Sequence, residues 1–241
     1  MKRHLSVLDL QRRSYGEVLE LQRSLARRRL AGDLADDLLL LVEHQPVVTL
    51  GRGTRGTSLP LAPDQLAQRG IEVFEVERGG DVTWHGPGQL VGYPILDLSG
   101  HRQDLHWYLR QLEATLISAL EKLEIPAERN PGLTGVWTSG RKIASIGIHV
   151  KQWVTLHGFA LNVVNDLSGF DLIVPCGIEN VVMTSIARER GWRDDPAVLW
   201  GDTRAAVIEA FGETFDREPV PANGSLSGDR NCEPQRHGGT E

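Results

Sequence analysis

The chain has 241 residues, 40% hydrophobic and 24% charged, enough for a substantial core in one large domain or two small ones. Its net charge of −6 at pH 7 opposes a broad nucleic-acid interface, and no window approaches the roughly 18 unbroken apolar residues of a membrane-spanning helix. Two cysteines, Cys176 and Cys232, are too few for a disulfide framework and point to a reducing, cytoplasmic setting.

In chain order, the N-terminal run is read as no signal peptide, because Ser6 and Asp9 interrupt its apolar part. Val18, Leu21, Leu25 and Leu30 recur near helical spacing between Ser14 and Gly32, which predicts a helix over 14–31. Residues 37–42 are short, apolar and flanked by charge, as in a strand buried on both faces, and 46–50 form a second strand. The runs 71–76 and 90–96 read as strands on either side of a glycine-rich segment. Leu105, Leu109, Leu112, Leu116 and Leu120 put one apolar stripe on a helix over 103–123. A short strand ending at Trp137 precedes 142–150 and 154–163, which a short polar turn joins as an antiparallel pair. Pro196 opens a last helix to about Phe211, and residues 218–241 have the composition of a disordered tail. Clustered strands with few helices indicate an α+β fold with a mixed sheet and flanking helices.

The segment between the strands at 71–76 and 90–96 reads Arg78-Gly79-Gly80-Asp81-Val82-Thr83-Trp84-His85-Gly86-Pro87-Gly88-Gln89. Glycines let a backbone approach a ligand closely, and the Arg, Thr, His and Gln supply polar atoms, so this is a candidate pocket wall. Gly51-Arg52-Gly53-Thr54-Arg55-Gly56 fits a dinucleotide fingerprint, but Pro60 and Pro63 follow where that fingerprint needs a helix. It is read instead as a mobile loop lining an entrance.

Cys176 lies between Pro175 and Gly177 at the end of an apolar run, where a thiol on a turn can face a cavity. A small buried hydrophobe would read the same way. As a nucleophile it needs an activating partner, because an ordinary thiol is mostly protonated at neutral pH. His44, His85, His149 and His157 are candidates, and so is Lys142, which opens a strand of Ile and Gly directly after a glycine turn. None of these histidines has the short spacing of a structural zinc site.

Taken together, the stretches 78–94, Lys142-Ile-Ala-Ser145-Ile146-Gly147, His157-Gly158-Phe159-Ala160-Leu-Asn162 and Ile173-Val-Pro-Cys176-Gly resemble the lipoyl(octanoyl) transferases. The resemblance implies a mixed-sheet fold like the catalytic domain of biotin and lipoate protein ligases, as a single octanoyltransferase domain over 1–217. It implies that Cys176 and Lys142 are the catalytic pair. Residues 78–85, Ser145, Ile146, Gly147, Gly158, Phe159 and Ala160 would line the substrate site, with His85 as a hydrogen-bond donor. The implied donor is octanoyl-acyl carrier protein. The implied acceptors are apo lipoyl domains of 2-oxoacid dehydrogenase complexes and the glycine cleavage H protein. No cofactor or metal is required, since thioester to amide is downhill. An ATP-dependent ligase, a thiol hydrolase and a silent lipoyl-domain binder are rival readings, and the Pro-Cys-Gly turn with Lys142 favours the transferase. Because a carrier protein is acidic and this chain is too, docking would need local cations, for which Arg52, Arg55, Arg141 and Lys151 are candidates.

Overall fold

The computed structural model describes residues 3–174 and 181–222. Its strands are β1 (Arg3–Arg13), β2 (Asp37–His44), β3 (Val47–Leu50), β4 (Glu72–Glu75), β5 (Val82–His85), β6 (Gln89–Ile95), β7 (Glu128–Asn130), β8 (Leu133–Thr138), β9 (Arg141–Lys151), β10 (Val154–Asn162) and β11 (Arg217–Pro221). The helices are α1 (Tyr15–Ala31), α2 (Pro63–Ala67), α3 (Leu105–Lys122), α4 (Ile186–Glu189) and α5 (Pro196–Phe215). Eight strands form one mixed sheet in the order β11-β1-β2-β6-β10-β9-β8-β7, and β4-β3-β5 form a small second sheet. This is the expected α+β architecture.

The strand β2 shows how the layers arise. Successive side chains point to opposite faces of a sheet. Leu38 and Leu40 therefore join Tyr15, Val18, Leu19 and Leu25 of α1 on one face, while Leu39 and Leu41 join Leu112, Leu116 and Leu120 of α3 and Phe211 of α5 on the other. The helix α1 starts where Ser14 Oγ accepts from the Glu17 amide and stops at Gly32, whose φ of +82° is left-handed. Asp104 and Asp195 cap α3 and α5 in the same manner, and Pro196 occupies the first turn of α5. The β9–β10 hairpin turns on Gln152 and Trp153, both with positive φ, as a tight hairpin requires.

The N-terminal run, to which no element was assigned from sequence, is β1, paired in parallel with β2 on one side and β11 on the other. One expectation changes. The boundary drawn at 217/218 falls inside β11, so residues 218–221 belong to the sheet rather than to a tail. Among the described residues, no helix is long and apolar enough to cross a membrane.

Candidate active site

A cavity of about 330 Å³ opens where β9 and β10 meet the glycine-rich motif. Arg78, Gly79, Gly80, Asp81, Val82, Thr83 and His85 line it from the motif, Ser145, Ile146 and Gly147 from β9, and Gly158, Phe159 and Ala160 from β10. Lys142 and Met183 also border it. Trp84 does not line it. In β5 the side chain at 84 alternates away from 83 and 85, and its ring packs edge-on against Phe170 at 5.6 Å between centroids. There it belongs to the core of the small sheet, with Val48 and Ile173.

The motif holds itself in place. Arg78 is buried, and its Nη2 donates to Thr49 O and Thr49 Oγ1 at 2.7 and 2.9 Å, while Nη1 donates to Asp81 O at 2.7 Å. The guanidinium thus pins the 78–81 turn onto β3. Gly79 N donates to Ile148 O at 2.8 Å and fastens the same turn to β9. The start of the 51–56 loop is tied to the motif: Arg52 N donates to Arg78 O and Gly53 N to Gly80 O, at 3.0 and 2.9 Å. Asp81 accepts from Ser58 Oγ at 2.7 Å.

His85 Nδ1 lies 2.7 Å from Gln89 Oε1. The Gln89 amide nitrogen donates to Trp84 O and Asn162 Oδ1, which fixes the amide so that its oxygen faces the imidazole. Nδ1 therefore carries the hydrogen. Burial, with help from neighbouring His44, pushes the His85 pKa down to about 3, so the ring is neutral and its Nε2 is an acceptor. His85 offers the cavity a lone pair, not the hydrogen expected of a donor. Burial likewise holds His44 at about 4, with its ring nitrogens engaged by Tyr93 OH and Arg13 O.

Lys142 is buried at the start of β9, only 4% exposed, rather than snorkelling to the surface. Its Nζ lies 5.7 Å from the centre of the Trp137 ring. Its stem passes over Gly135, where an added Cβ would sit 2.8 Å from Lys142 Cε and 2.6 Å from Ala144 O. On its backbone side, Lys142 N donates to Val182 O and Lys142 O accepts from Thr184 N. The expected nucleophile Cys176 and its neighbours Pro175 and Gly177 lie outside the described residues. The chain on either side of them is placed: Val174 N donates to Ser58 O at 2.9 Å, and Met183 bridges to Lys142.

Tyr15, Val91, Tyr93, Leu109, Leu133, Thr134, Ile148 and His157 also line the cavity. Tyr93 and His157 stood in the recognised sequence stretches. Tyr15 opens α1 more than sixty residues before the motif, and no local sequence signal marks it. Among the cations proposed for docking, Arg141 pairs with Glu189 through contacts of 2.8 and 3.0 Å, which offsets part of its charge. Arg52, Arg55 and Lys151 are exposed.

Comparison with known proteins fits this geometry. The lipoyl protein ligase A/B catalytic domain matches residues 14–212. An octanoyltransferase of a Nostoc species is 50% identical over 199 residues, 83% of this chain and 86% of that protein. That of Gloeobacter violaceus is 55% identical over 202 residues, 84% and 86% of the two chains. A bipartite lipoate protein ligase structure from Thermoplasma acidophilum superposes with a TM-score of 0.69 over 94% of this chain and 91% of that one, at 17% identity, and speaks for the fold alone. Near-half identity over most of both chains, with the catalytic-domain match spanning the cavity and Lys142, leads to one assignment: the chain belongs to the octanoyltransferases of the lipoyl protein ligase A/B catalytic-domain family.

Proposed function

We propose that the protein moves an octanoyl group from acyl carrier protein, through a thioester on Cys176, to a lysine of an apo lipoyl domain. The observation that carries this reading is the buried Lys142 at the cavity, where Met183, a few residues after Cys176 in sequence, also borders it and pairs with Lys142. In the first step the Lys142 amine takes the Cys176 proton. The thiolate attacks the donor thioester carbonyl, and the carbon–sulfur bond to pantetheine breaks as Lys142 returns the proton to the leaving sulfur. In the second step the acceptor lysine amine attacks the Cys176 thioester. The amide forms, the Cys176 sulfur leaves, and Lys142 relays the surplus proton to it.

The motif side chains orient the acyl group, and the glycine backbones at 147 and 158 leave room beside it. A Cβ at Gly147 would lie 3.0 Å from Arg78 Cδ and 3.1 Å from Gly79 O. Recognition of the chain is hydrophobic. At about 0.8 kcal/mol per buried methylene, a hexanoyl donor should lose roughly 1.6 kcal/mol, about fifteenfold in kcat/KM, against the octanoyl one. Competition between the two donors measures this, and equal rates would exclude the cavity as the acyl site.

Intact-mass analysis after mixing with octanoyl-acyl carrier protein tests the intermediate. The wild type should gain one octanoyl group before acceptor is added and lose it afterwards, whereas Cys176→Ser should show no turnover. A wild type that transfers without ever carrying the acyl group under single-turnover conditions would exclude the covalent route.

A further inference from the structure

The cavity has two chemically different ends. Lys142 borders one, while Tyr15, His85 and Tyr93 line the other with the His44 ring packed among them. Gly92 of β6, Phe159 of β10 and Ile146 of β9 share one row of the sheet, so Tyr93 lies two strands from β9 and well along it from Lys142. Sheet spacings separate the two residues by roughly 10 Å across the strands and roughly 16 Å along them. Between the ends, Gly147 and Gly158 pair as bare backbone.

Most of the hydrogen-bonding capacity in the ring cluster is already spent. His44 is neutral, its Nδ1 donates to Arg13 O at 3.0 Å, and its Nε2 accepts from Tyr93 OH at 2.8 Å. Two atoms keep theirs. The Tyr15 ring stacks on His85 with 6.1 Å between centroids and 10° between planes, and Phe74 braces it at 5.2 Å. Among the described residues the Tyr15 hydroxyl has no hydrogen-bond partner. Burial raises its pKa, so the phenol stays protonated and can donate. His85 Nε2 is an acceptor, because the ring hydrogen is on Nδ1 and donated to Gln89. One donor and one acceptor thus sit side by side at the end far from Lys142.

We infer that Tyr15 and His85 are specificity-determining residues that fit a hydroxyl at the tail of the acyl chain, so that the cavity takes 8-hydroxyoctanoyl groups beside octanoyl ones. The inference rests on the cavity being the acyl site, with the thioester at the Lys142 end. A hydroxyl can accept from the phenol and donate to the imidazole at once, which offsets the cost of taking it out of water. A methyl terminus can do neither. In the transfer itself the donor's carbon–sulfur bond breaks and the carrier thiol leaves with a proton. The carbonyl carbon ends on the acceptor lysine nitrogen as an amide, and the tail hydroxyl takes no part.

Competition between 8-hydroxyoctanoyl- and octanoyl-acyl carrier protein tests this. If the far end were apolar, an unpartnered hydroxyl would lower kcat/KM by about tenfold or more. The wild type should instead use the two donors within about threefold of each other. Tyr15→Phe keeps the ring and removes the donor, and it should shift the ratio against the hydroxylated donor by about fivefold. Both donors meet the same protein molecules, so any loss of folded variant cancels from the ratio. Calorimetry with 8-hydroxyoctanoate and octanoate should give the same shift without turnover. A wild-type preference for octanoyl of about tenfold or more would overturn the inference, as would a ratio that Tyr15→Phe leaves unchanged. The reading of the cavity as the acyl site fails differently, through equal rates for octanoyl and hexanoyl donors. Clear preference for octanoyl over hexanoyl beside an unmoved hydroxyl ratio removes only the role given to Tyr15 and His85.

Discussion

Gly135→Ala should lower octanoyl transfer by about a hundredfold or more while leaving the protein folded. The added methyl group would stand 2.8 Å from Lys142 Cε and 2.6 Å from Ala144 O, at a backbone φ of +131° that a residue with a side chain rarely adopts. The Lys142 stem must give way to the methyl group, and because Ala144 O is backbone of the neighbouring strand, β8 must also shift locally from β9. The lysine is wedged between Gly135 and Trp137, and its backbone is tied to Val182 and Thr184. A shifted stem therefore moves Nζ while the backbone of residue 142 stays tied to Val182 and Thr184. Single-turnover transfer and thermal melting should be measured together, with Gly32→Ala for comparison. Gly32 also has positive φ, but no atom lies within 4 Å of its added Cβ, so only the local backbone cost of about 1 kcal/mol remains. Equal transfer rates for the two variants would show that the contact with Lys142 is immaterial.

Asp37→Asn should destabilise the fold by about 3–5 kcal/mol, the usual cost of removing one partner from a buried ion pair. Asp37 is 3% exposed at the start of β2. Its Oδ2 accepts from Arg217 Nε at 2.8 Å and pairs with His101 Nε2 at 2.7 Å, and Oδ1 accepts from Asp97 N at 3.3 Å. One carboxylate thus joins β2, the turn after β6 and the C-terminal strand β11. Asparagine would keep one acceptor and turn an amide donor toward cationic or donating neighbours. Burial raises the Asp37 pKa, but the hydrogen bonds and charges of His101 and Arg217 outweigh it and hold the carboxyl below its usual range. A folded pKa below the unfolded value means stability present above about pH 4 and lost as pH falls through the folded value. Denaturant unfolding at neutral pH should show the deficit, and Asp37→Asn should flatten the acid limb of the stability profile. A variant within about 1 kcal/mol of wild type at neutral pH would refute the clamp.

Much of this fold is legible in one dimension, and the exceptions share a cause. The helices α1 and α3 announce themselves by apolar spacing, α1 also by Ser14 and Gly32 at its ends, and α5 by Pro196 at its start, all local signals. The β9–β10 hairpin is equally local, since its turn and both strands are contiguous. The strands β1, β5 and β11 are not legible in that way. The central residues of β1 are only partly alternating between charged ends, and their pairing with β2 and β11 crosses some thirty and more than two hundred residues. β5 lies inside a glycine-rich motif and becomes a strand because His85 and Val82 pair with Val47 and Leu50. Propensity is silent where remote pairing decides.

The glycine motif, the lysine at 142, the Pro-Cys-Gly triplet and the amphipathic helices were determined by the sequence itself, because residue type and spacing fix which reactive groups exist and which local period the chain follows. Only the tertiary structure decided how those groups are used. It committed the Arg78 charge to Thr49, turned Trp84 into the small-sheet core, left His85 neutral with its Nδ1 hydrogen donated to Gln89, and buried Lys142 over Gly135. It also bound Arg141 to Glu189. Each of these depends on a partner distant in sequence and on exclusion from water. Hydrogen-bond direction, charge state and available space are properties of the packed surroundings, which no single stretch of chain contains.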